Sequence, residues 1–131
     1  MSNTSDNNNA FLMHLSSFSG YLFPFGAIIV PLIIWELKKK DSEFLDKTGK
    51  EVINFNLSYL LYFTVLVIAL ISFAINIAIG EIHHLNLFFV ISLGALIGII
   101  CIVKFVLIIV GAIKANQGED YKYPLIIRFL K

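Results

Sequence analysis

Lys38 to Glu51 reads KKKDSEFLDKTGKE. This stretch holds five of the ten basic residues in the chain and four of the nine acidic ones. On either side the sequence is apolar over lengths that match a bilayer. The charged loop, 38–51, therefore separates a first expected span, 20–37, from a hairpin of two more, 52–79 and 85–113. It also fixes how the chain sits in a membrane, because basic residues stay on the cytoplasmic side.

Composition agrees with that reading. Hydrophobic residues make up 58% of the 131 residues, and mean hydropathy is +0.84. A soluble domain of this length leaves too much surface in water to hide so many apolar side chains. The expected fold class is all-α: a polytopic integral membrane protein with three transmembrane helices and short amphipathic interfacial helices at both ends. By length it is one domain, 10–131, behind a polar tail, 1–9. Net charge is only +1 and no basic stripe occurs, so no nucleic-acid partner is expected. The single cysteine, Cys101, lies in an apolar run and reads as a small hydrophobe, with no disulfide framework and no metal knuckle.

Outward from the loop on the amino-terminal side, Trp35 ends the first span at interface level. Pro24 and Pro31, seven residues apart, each remove a backbone donor and kink that span. Ala10 to Ser19 is too short to cross. Phe11, Leu12, Leu15 and Phe18 share one helical face, which predicts an interfacial helix. His14 on that helix reads as an interfacial polar group; a pH-sensing or ligand role needs a partner. Residues 1–9, MSNTSDNNN, have no apolar period and are expected to be disordered. They lack the basic start of a signal peptide, so the amino terminus is expected to be retained.

On the carboxyl-terminal side, Thr48 to Glu51 has the form of a capping box that starts the second span. Along that span Asn54, Ser58, Tyr62, Ala69, Ser72 and Asn76 fall within about 80° of one another at 100° per residue. A polar stripe of this kind avoids lipid. It is either helix–helix packing or the wall of a polar path. The turn GEIHHLN at 80–86 carries Glu81, His83 and His84, which read as surface residues because adjacent histidines converge poorly on a metal. In the third span Gly94 and Gly98 form GxxxG, a pattern for close helix packing within a bundle or a dimer. Lys104 lies about 15 Å along the axis from Lys114. It either snorkels to the inner interface or pairs with an acid on a partner. Residues 119–131 are too short and too charged to span, and read as an amphipathic interfacial piece.

Basic residues near the span ends occur only in the loop and after Lys114. The carboxyl terminus is therefore expected in the cytoplasm and the amino terminus outside, in the inner (plasma) membrane of a cell.

Two stretches carry a family resemblance. One runs through His14-Leu15-Ser16, Pro31, Trp35 and Phe44 to Phe55. The other is Ala112 to Asn116, Gly118-Glu119 and Tyr123 to Phe129. Together they resemble a family of small bacterial membrane proteins of unknown function, grouped with the protein-import translocon component of the chloroplast inner envelope. The resemblance implies a helical membrane protein with no cofactor and no catalytic residues. It also hints at a translocation-assisting role.

No motif for a hydrolase, metalloprotease or paired intramembrane acids appears, so an enzyme is not expected. The expected function is that of an accessory or interaction subunit of a membrane complex, with a membrane-protein partner or further copies of itself in the bilayer. An oligomeric transport or translocation component is the alternative. Asn54, Ser58, Tyr62, Ser72, Asn76, Gly94, Gly98 and Lys104 are the residues expected to pack helices or to line a polar path.

Overall fold

The computed structural model describes residues 3–23, 25–80 and 84–131. In order these form α1 (Thr4–Leu15), a 3-10 helix (Ser16–Tyr21), α2 (Gly26–Lys38), α3 (Glu43–Ala78) and α4 (His84–Asn116). No strand occurs among the described residues, in keeping with the all-α expectation. The chain divides into two compact units. The first is Met1–Ser58 with Phe105–Lys131, and the second is Tyr59–Lys104.

The expected disordered tail is helical from Thr4. Asn3 caps it: its side-chain oxygen accepts the Asp6 N–H at 2.8 Å, satisfying an orphan donor of the first turn. Asp6 in that turn suits the positive end of the helix dipole. The buried face of this segment is Ala10, Met13, His14 and Ser17, at i, i+3, i+4 and i+7. It is rotated from the expected apolar face, of which Leu12 stays exposed. His14 and Ser17 turn inward with Ala10 and Met13, while Leu12 faces outward.

The expected span 20–37 is not one helix. The 3-10 helix ends at Tyr21, and α2 begins at Gly26 after Phe25 in a left-handed conformation, φ 63°. With 13 residues α2 is about 20 Å long, short of a hydrocarbon core of roughly 30 Å. It packs back on the 3-10 helix. A Cβ on Gly20 would lie 2.6 Å from that of Ala27, and one on Gly26 would lie 2.5 Å from the Ser19 carbonyl oxygen. Glycine at both places permits the reversal. The kink expected at Pro24 lies outside the described residues.

The charged loop is also shorter than expected, because α3 starts at Glu43 and encloses Thr48 and Gly49. The capping box at Thr48–Glu51 is thus mid-helix. The helix starts earlier because Ser42 Oγ accepts the Leu45 N–H at 3.3 Å. Ion pairs Glu43–Lys47 (2.8 Å) and Asp46–Lys50 (2.6 Å), each four residues apart, support the first turns.

Two helices, α3 and α4, are long and apolar enough to cross a membrane. At 36 and 33 residues they measure about 54 and 50 Å. The second unit holds Tyr59–Ala78 and His84–Lys104, each about 30 Å, one hydrocarbon thickness. Large apolar side chains such as Val65, Ile68, Ile75, Phe88 and Ile91 are exposed there. Phe73 and Phe89 stack at 4.8 Å. The first unit has the buried core: Met13, Leu45, Val52, Phe55, Ile108 and Tyr123.

Helix α4 closes on Gly118, φ 77°. The Glu119 N–H returns to the Lys114 carbonyl at 3.0 Å, a Schellman closure that glycine makes possible. The expected amphipathic helix over 119–131 does not form. Side chains of α3 take the backbone groups that its ladder would have used.

Candidate functional site

Three residues on one face of α3 hold the carboxyl tail. Glu51 Oε1 accepts the Tyr123 N–H at 2.7 Å. Asn54 meets Leu130 twice: its Nδ2 donates to the Leu130 carbonyl and its Oδ1 accepts the Leu130 N–H, both at 2.8 Å. Ser58 Oγ accepts the Ile127 N–H at 2.8 Å and donates to the Asn54 carbonyl at 2.8 Å. Spacings of three and four residues place these side chains on one stripe. The carboxamide of Asn54 acts on Leu130 as a neighbouring strand would, supplying one donor and one acceptor.

Aromatic rings lock the same tail from the other side. Tyr123 stacks on Phe55 with centroids 3.8 Å apart and planes 12° from parallel. Its hydroxyl and His14 Nδ1 are hydrogen-bonded at 2.7 Å. Tyr121 meets Tyr123 edge-on at 5.0 Å. His14 is 1% exposed. Burial pushes its pKa down to about 3, so the ring is neutral at ordinary pH and senses no physiological change. Gly111 of α4 leaves room for this pair: a Cβ there would lie 2.7 Å from both His14 Nδ1 and the Tyr123 hydroxyl.

Trp35 is a packed residue more than a belt residue. Its Nε1–H donates to Asp46 Oδ1 at 3.0 Å. Lys50, bonded to the same carboxylate, holds Asp46 below the usual carboxylate range, and the Trp35 indole adds to that. The Lys39 ammonium stands 4.8 Å over the indole. Gly49 lies against the ring so closely that a Cβ would collide with Trp35 Cγ and Cδ1.

Between the first turns of α3 and the tail lies a cavity of about 510 Å³. Lys47, Lys50, Lys122, Arg128 and Lys131 line it, with Thr48, Tyr121, Glu51 and Asp120.

A family model matches residues 5–130, that of the magnetosome magnetite crystal formation proteins. The chain belongs to that family. No curated protein matches it, and no solved structure does. The match is to the magnetosome family of small bacterial membrane proteins, and the likeness to a chloroplast translocon component is not carried by it.

In this magnetosome-family fold the expected stripe divides. Asn54 and Ser58 converge on the tail. Tyr62, Ser72 and Asn76 belong to the second unit. There Ser72 donates to the Ile68 carbonyl and Asn76 to the Ser72 carbonyl, each within its own helix. Gly94 and Gly98 have nothing within 4 Å of where a Cβ would stand. Lys104 is the last residue of its unit, its ammonium 5.7 Å from the centre of the Tyr59 ring. Glu81 and His83 of the expected surface turn lie outside the described residues, and no metal-binding cluster occurs among the described ones. Sequence reasoning missed Glu51, Tyr123 and Gly111. The signal for Glu51 was its place three residues before Asn54 on the same stripe.

Proposed function

We propose that this family member is a non-enzymatic membrane protein that serves magnetite crystal formation as an interaction subunit. The observation that carries the reading is the commitment of Glu51, Asn54 and Ser58 to the chain's own tail. These groups build a folded surface, bonding the tail's main chain and not facing a continuous path along the helix. Two helices then serve as the anchor, and Lys104, at the end of a 21-residue apolar stretch, reaches the interface. The basic residues of the loop and tail favour the cytoplasmic side. The amino terminus shares that side, in place of the outer position expected from three spans, because His14 bonds Tyr123 and Asn56 Nδ2 donates to Ser17 Oγ at 2.7 Å.

A second reading, an oligomeric transport or translocation component, draws support from the uncovered Gly94 and Gly98. Crosslinking in the native membrane, followed by purification of the tagged chain in mild detergent, separates the two. A reproducible, different membrane protein supports the interaction subunit. Recovery of self-crosslinked copies alone overturns it in favour of the oligomer.

A further inference from the structure

We propose that the cavity between α3 and the carboxyl tail binds the phosphate of an anionic phospholipid headgroup. The proposal does not depend on which protein the chain engages.

The charges of the cavity are unequally spent. Lys47 and Lys50 are ion-paired with Glu43 and Asp46 along α3. Lys122, Arg128 and Lys131 form no ion pair among the described residues, although all three line the cavity. Of the two acids on the wall, Glu51 already accepts the Tyr123 N–H. Asp120 is the other, and it sets a limit on how many anionic charges the space takes. Thr48 and Tyr121 also line the space, and a hydroxyl is a donor suited to phosphate oxygens. A volume of about 510 Å³ is in the range of small-ligand sites and accommodates a glycerol phosphate.

The neighbouring side chains favour a lipid over an ion in solution. Leu125 is 87% exposed, and Ile127 and Phe129 on either side of Arg128 are exposed too. Bare apolar residues flanking an unpaired cation form the pairing that a membrane interface covers: acyl chain on one, headgroup on the other. Free phosphate leaves the apolar residues in water.

The test uses the full chain in mixed micelles, with native mass spectrometry counting retained lipid. Phosphatidylglycerol is expected to be retained in preference to phosphatidylcholine. The variant K122Q/R128Q/K131Q is expected to bind it about a hundredfold more weakly, at about 1 kcal/mol per interfacial cation. R128Q alone, at an exposed position that the fold does not need, is expected to lose a few-fold. K38Q/K40Q removes two cations outside the cavity and is expected to change nothing. Equal losses in K38Q/K40Q and the tail variant overturn the site, since a general basic surface then suffices. Absence of lipid preference overturns it as well. Displacement of phosphatidylglycerol by an equal concentration of inorganic phosphate overturns the lipid assignment.

Discussion

His14 Nδ1 and the Tyr123 hydroxyl lie 2.7 Å apart although 109 residues separate them in the chain. The pair joins α1 to the tail through a buried bond. Its protonation has a stability consequence. The His14 pKa is about 3 in the fold against 6.5 for an unperturbed imidazole, so between those limits the unfolded chain binds the extra proton. Stability is therefore full above about pH 6.5 and falls as pH drops toward 3, by about 1.4 kcal/mol per unit. Melting in detergent between pH 7.5 and 5 checks this, and H14N is expected to flatten the slope.

Gly111 stands under the same pair. G111A drives a methyl into His14 and Tyr123, and overpacking of this kind costs about 1–3 kcal/mol. The lowered melting temperature is the readout. G94A and G98A meet no neighbour and are expected to leave the melting temperature of a monomer unchanged. Loss of self-association in those two variants, with stability kept, is the signature of the oligomeric reading.

N54L removes both bonds to Leu130 and leaves its backbone groups unpaired. The expected cost is about 1–3 kcal/mol, felt locally as release of the tail. Trypsin is expected to cut after Lys122 and Arg128 faster in N54L than in the parent chain. Equal rates would mean that the rings of Phe55 and Tyr123 hold the tail without Asn54.

G49A sets a methyl against Trp35, and α2 is expected to lift from α3. Indole fluorescence is expected to move to longer wavelength as water reaches the ring. W35F keeps the apolar contact and loses the bond to Asp46. It is expected to cost about 1 kcal/mol, a typical net value for one hydrogen bond.

Single cysteines at Ser5 and Gln117, placed in a C101A background, test the sidedness of the termini. Both are expected to react with an impermeant maleimide only after the cells are opened. Labelling of S5C in intact cells would restore the three-span arrangement.

The two long helices were legible because their apolar runs continue for well over 18 residues. The hairpin of 16–38 was not, since its apolar length equals that of a span. What turns it back is the fit of Gly20 against Ala27 and of Gly26 against Ser19, which no hydropathy profile encodes. Asn54 and Ser58 were visible as a stripe that avoids lipid. Their partner was hidden, because they bond main-chain atoms of a tail whose own pattern suggests a helix. His14 looked like a surface residue for a related reason: its burial depends on the absence of a side chain at Gly111, 97 residues away.

The grip of Asn54 on the Leu130 main chain has an evolutionary consequence. A clasp that reads peptide groups is indifferent to what those residues display. The side chains that the tail turns outward are then set by what they meet, and the tail keeps its path without them. Descendants of this chain are then able to retune what they show to their surroundings without rebuilding the dock beneath.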